Sequence, residues 1–199
     1  AGVPVVRSSG AGRCQRRAAC TADGGKRWLP SIDGRTIDDI VDYLTYTFVP
    51  LLLVWRMGWL PEPAFVWIAA ALVASLFGFA NTAAKDEAGG FFLGFPSYWN
   101  VVAFYAGFAH RLYGPWINAA MLLLLAALTV LPVRFLYPNL TPRPWRTPLI
   151  LGALVWLGMM LWLLVDYPYA PAWMVWVSLL FPIFYFWLSY RLGARSSRS

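Results

Sequence analysis

Apolar positions in this chain form long unbroken runs, not the one-sided stripe of a helix that rests on a soluble core. A bilayer-spanning helix needs about 20 mostly apolar residues, because ~1.5 Å per residue must cover roughly 30 Å of hydrocarbon. Six segments are expected to be such helices: Ile40–Met57, Ala64–Ala83, Tyr98–Arg111, Pro115–Leu136, Leu149–Val165 and Ala172–Tyr190. The third is the weakest, being short, holding Asn100 and ending near His110 and Arg111. Strands are disfavoured: a spanning barrel requires short alternating segments, whereas runs such as Ala119–Val130 are continuous.

Composition strengthens this reading. Hydrophobic residues make up 60% of the chain and charged residues 13%, against about a quarter charged in soluble domains. Mean hydropathy is +0.57. The expected fold is therefore all-α, a polytopic membrane helical bundle of about six transmembrane helices. The 12 Trp and 10 Tyr suit the headgroup zone, where amphipathic rings gather.

Charge sets an orientation. With a cytoplasmic N-terminus, six crossings return the C-terminus to the cytoplasm, and of the 16 basic residues only Arg56 and Arg111 fall outside. The positive-inside rule thus agrees with the helix count and places both termini in the cytoplasm. The net charge of +7 is accounted for by anionic lipid headgroups and calls for no nucleic-acid partner.

Three regions are expected. Residues 1–30 read as a disordered basic segment, or a truncated or misframed one, with no apolar run of a secretory signal. Residues 31–192 read as the transmembrane domain, and 193–199 as a cytoplasmic tail. Cys14 and Cys20 have no zinc-site spacing.

The nine acids are few, so their clustering carries information. Asp33, Asp38, Asp39 and Asp42 fall within ten residues, where the first helix enters the membrane. Asp38 and Asp42, four apart, stack on one helix face. Adjacent like charges at a membrane entrance are costly, and a hard divalent cation would relieve that cost. The alternative is that the acids cap a helix N-terminus, which suits Asp38 and Asp39 better than the deeper Asp42.

Gly34-x-x-x-Asp38-x-x-x-Asp42 resembles the second half of the CDP-alcohol phosphatidyltransferase motif. The surrounding blocks Asp42-Tyr-Leu-Thr-Tyr-Thr-Phe-Val-Pro50 and Phe91-Phe-Leu-Gly-Phe-Pro-Ser-Tyr-Trp-Asn-Val-Val-Ala-Phe-Tyr105 resemble the bacterial phosphatidylcholine synthase branch. That resemblance implies transfer of the phosphatidyl group of CDP-diacylglycerol to choline, with release of CMP. It also implies Mn²⁺ or Mg²⁺ held by Asp38 and Asp42, with Asp42 as base on the choline hydroxyl and Gly34 letting the nucleotide approach closely. Tyr98, Trp99 and Asn100 are implied substrate contacts. Tyr43, Tyr46 and Tyr105 join Tyr98 and Trp99 as candidates for an aromatic cage around the quaternary ammonium.

The first half of the motif is not matched. Its Ala-Arg, Asp-Gly and first Asp positions are occupied by Gly24-Gly25, Cys20-Thr21 and Arg17, and the branch is expected to carry about two further N-terminal helices. A different acceptor (serine, glycerol phosphate or inositol) and a non-catalytic membrane protein, either remnant or transporter, remain as alternatives. The resemblance leaves a homodimer open.

Overall fold

The computed structural model describes residues 33–81, 85–86, 91–136, 141 and 143–196. The expected segment at 1–30 and the last residues of the tail lie outside these. The chain divides into two units, 1–40 and 41–199. The described part of the first is the start of helix α1 (Gly34–Asp42), an amphipathic element on which Ile37 and Ile40 are exposed beside charged neighbours. Asp33 caps it: its carboxylate accepts from the Arg35 amide at 3.1 Å and the Thr36 hydroxyl at 2.8 Å. Such a cap satisfies donors that the first turn leaves free. These bonds hold the Asp33 carboxyl below its ordinary value, the Thr36 hydroxyl contributing most.

Helix therefore begins six residues ahead of the expected Ile40. The capping role considered for Asp38 and Asp39 belongs to Asp33, and Asp38 lies beyond the first turn, where the macrodipole fades.

In the second unit, a π-helical segment (Tyr43–Phe48) leads into α2 (Val49–Arg56). Pro50 supplies a cause: its ring would strike the carbonyl four residues back and it has no N–H to return, and a wider turn ahead of it relieves both. Then come α3 (Ala64–Ala80), α4 (Trp99–Tyr113), α5 (Pro115–Val130), α6 (Arg143–Val165), α7 (Ala172–Ser178) and α8 (Leu180–Ser196). Each expected segment is helical, with revised ends. The run expected to reach Leu136 stops at Val130, and α6 starts six residues before Leu149. Pro182 has no N–H for the Ser178 carbonyl, which places the irregularity between α7 and α8.

The all-α expectation holds, with one small sheet in addition to the helices among the described residues. Three short strands, β1 (Lys85–Asp86), β2 (Phe91–Leu93) and β3 (Arg134–Leu136), form an antiparallel sheet in the order β1-β2-β3. The register pairs Phe91 with Leu136 and Leu93 with Arg134. Gly94 turns the chain out of β2 at φ +88°, and a Cβ there would overlap the Thr129 carbonyl. Its amide donates to Val133 at 2.8 Å and that of Phe95 to Leu128 at 2.9 Å.

Small residues line the helix contacts. On α3 the buried positions are Ala64, Ile68, Ala71, Ala74 and Ser75; on α5 they are Asn118, Ala119, Leu122, Ala126 and Thr129. Close backbone approach through small residues is how helices associate where lipid removes the hydrophobic driving force. Large apolar side chains point outward instead, including Trp162 at 68% exposure and Val165 at 80%. Among the described residues, two helical stretches, Pro144–Val165 and Ala172–Gly193, are long and apolar enough to cross a membrane; Ala64–Ala80 and Pro115–Val130 are apolar but shorter. The surface is that of a membrane protein, with an apolar exterior suited to lipid.

The segment expected to be weakest is the most enclosed. Helix α4 buries Trp99, Val102, Ala103, Tyr105, Ala106, Gly107 and Phe108. A helix surrounded by protein needs less apolarity than one facing lipid, so its polar residues misrepresent its position.

Candidate functional site

The expected site residues divide between the two units. Gly34 and Asp38 lie on α1 in the first unit, both exposed. Gly34 opens the helix, and an added Cβ would meet nothing within 4 Å; the fold itself does not demand glycine there. Asp42 is the last residue of α1, half-buried, in the second unit. Among the described residues, no group of three or more His, Cys, Asp or Glu could hold a metal ion. The carboxylates of Asp38 and Asp42 are of suitable hardness for Mg²⁺ or Mn²⁺, a class of ion that takes one or two carboxylates and fills its other positions with water and substrate phosphate.

The segment following Asp42 packs against α3 and α4. Tyr43 donates its hydroxyl to the Leu72 carbonyl at 3.3 Å and stands edge-on to Phe79, ring centroids 5.7 Å apart. Structure thus brings the two family-like blocks, 42–50 and 91–105, against each other, which no local pattern reveals.

The substrate candidates at the start of α4 face different ways. Trp99 is fully buried, donating its indole N–H to Ser75 Oγ at 2.6 Å and standing edge-on to Phe95. That makes it a packing residue in this structure. Tyr98 and Asn100 are exposed. Tyr105 is also committed to packing: its hydroxyl accepts from the Trp156 indole at 2.9 Å and lies 2.9 Å from Ser178 Oγ, tying α4 to α6 and α7. Tyr46 is exposed.

At the opposite end of α4, the 166–171 connection is fastened down. Arg111 donates to the carbonyls of Pro168 at 3.1 Å and Ala170 at 3.3 Å, and its guanidinium lies over the Tyr169 ring. Tyr167 fits the notch left by Gly107, and burial pushes its hydroxyl up to about 12. Asn118 donates to the carbonyls of Trp59 and Ala106, each at 3.0 Å. His110 lies in the last turn of α4.

Sequence reasoning passed over Thr47, a fully buried threonine in the π-helical segment. The available signal was its place five residues after Asp42, beside Pro50.

Similarity to curated proteins extends over more than half of the chain. The chain is 43% identical over 116 residues to a phosphatidylcholine synthase of Pseudomonas aeruginosa, covering 57% of this chain and 47% of that protein. It is 33% identical over 153 residues to the phosphatidylcholine synthase of Rhizobium meliloti, covering 75% and 61%. The chain is thus similar to bacterial phosphatidylcholine synthases over part of their length. A third relative, from Legionella bozemanae, is 37% identical over 116 residues, covering 57% and 52%. The chain spans about half the length of the curated relatives it matches. No family model matches it, and no solved structure does. The resemblance read from the blocks is thus matched by similarity to parts of proteins of that name.

Proposed function

We propose that this chain carries part of a phosphatidylcholine synthase, transferring the phosphatidyl group of CDP-diacylglycerol to choline and releasing CMP. The observation that carries the reading is the 43% identity to a protein of that name. Packing of the segment after Asp42 onto the helix that begins at the second family-like block supports it. In the reaction, the choline oxygen forms a bond to the phosphorus bearing diacylglycerol, and the bond from that phosphorus to the CMP oxygen breaks. Asp42 takes the choline hydroxyl proton, a role that suits a half-buried carboxylate. Gly34 gives the nucleotide room, and Tyr98 and Asn100, exposed at the start of α4, contact substrate. Trp99 acts behind them by fixing that helix start.

Mn²⁺ or Mg²⁺ belongs to this reading through Asp38 and Asp42 and would require oxygen donors beyond those two, so no step is assigned to it. The same reading places six helices across a bacterial inner membrane with both termini cytoplasmic, and allows a homodimer. The test is an acceptor scan in membranes carrying this chain, with CDP-diacylglycerol and choline, serine, inositol or glycerol phosphate in turn. CMP release with choline alone is expected; release with a different alcohol would overturn the choline assignment.

A further inference from the structure

The least explained polar group in the second unit is the Thr47 hydroxyl. Thr47 is fully buried, and its Oγ1 has no hydrogen-bond partner among the described residues. Two other helical threonines pair internally: Thr45 donates to the Val41 carbonyl and Thr129 to the Leu125 carbonyl, each at 2.8 Å and four residues back. A buried hydroxyl left unpaired is destabilising, and a valine would fill the same volume without that cost. A hydroxyl here therefore calls for a partner, and a bound molecule can supply one.

Position narrows the partner's chemistry. Thr47 lies in the π-helical segment, an irregularity that is frequent at functional sites. In that geometry residues five apart succeed one another along the helix, which puts Thr47 one wide turn deeper than Asp42. The segment faces α3 and α4, and the next buried positions, Pro50, Leu51 and Val54, are apolar. Along this segment a carboxylate, one hydroxyl and then apolar side chains follow one another. A small alcohol, whose polar end needs one donor and one acceptor, fits that sequence of groups.

We propose that Thr47 is a positioning residue for the acceptor alcohol, its hydroxyl donating a hydrogen bond to the alcohol oxygen while Asp42 accepts that oxygen's proton. The inference rests on the phosphatidyl-transfer reading and adds a second contact to the acceptor. No new bond chemistry is introduced: the proton passes to Asp42, the oxygen–phosphorus bond forms and CMP leaves.

The experiment compares the full chain with Thr47→Val and Thr47→Ser, measuring kcat and KM for choline in membranes. Thermal unfolding of each purified protein is followed with and without choline. Thr47→Val is expected to raise KM for choline about tenfold, the effect of one lost hydrogen bond, and to abolish the choline-induced rise in Tm without lowering the basal Tm. Thr47→Ser is expected to restore both. If Thr47→Val raises the basal Tm and leaves KM and the choline response unchanged, the hydroxyl is a packing residue and the positioning role is overturned while the transferase reading stands. If the unaltered chain neither forms phosphatidylcholine nor responds to choline, the transferase reading falls, and this inference with it.

Discussion

Replacing Gly94 by alanine tests whether the turn between β2 and α4 is built as described. Two costs combine. At φ +88° an L-residue is strained by about 1–2 kcal/mol. Its Cβ would also overlap the carbonyl of Thr129, a backbone group at the end of α5, which cannot swing aside as a flexible side chain would. Overpacking of this sort costs about 1–3 kcal/mol. Together they give about 2–5 kcal/mol, which at ~2–4 °C per kcal/mol for a chain of this size lowers Tm by roughly 4–20 °C. Gly58 supplies the control: its φ is +69° but an added Cβ meets nothing within 4 Å. Gly58→Ala therefore carries only the strain, roughly 2–8 °C. Thermal unfolding of both variants in the same detergent reads the difference. Equal shifts for the two would refute the close approach of Gly94 to Thr129.

Two further predictions concern polar contacts. Ser75→Ala leaves the buried Trp99 indole N–H without its acceptor and should cost about 1–3 kcal/mol. Adding Trp99→Phe should recover part of that loss in a double-mutant cycle, and strict additivity would contradict the bond. Asp33→Ala should speed amide exchange over Gly34–Ile37, because the cap is lost. In the unaltered chain the same protection has a defined pH dependence. The folded-state value of Asp33 is depressed, so its contribution is full above the unfolded carboxyl value and disappears as pH falls through the lower folded one. Protection that vanished on raising the pH would have the wrong sign.

Particular residues show what the sequence could and could not convey. Continuous apolar runs located the helical segments because lipid-facing surface must be apolar along its length. The start of α1 was hidden: it is amphipathic and capped by Asp33, so it carries no apolar run. Strands of two or three residues between helices left no periodicity to detect, and the Gly94 turn is recognisable only once Thr129 is beside it. Helix α4 was underrated because apolarity reports contact with lipid, while its Tyr105 and Trp99 bond to other helices. Of the candidate site, the spacing of Asp38 and Asp42 and the two unusual blocks were legible. That Trp99 turns inward, and that Thr47 keeps a hydroxyl unpaired among the described residues, depends on packing between segments distant in sequence.

The central claim is that this chain supports phosphatidyl transfer to choline through its acidic motif. Its most direct test supplies membranes carrying the chain with CDP-diacylglycerol, labelled choline and Mn²⁺, alongside Asp38→Asn and Asp42→Asn variants present at equal levels. The account predicts labelled phosphatidylcholine, matched by CMP release, that is lost in both variants. Absence of labelled phosphatidylcholine from the inserted, folded chain, or product undiminished by Asp42→Asn, would contradict it.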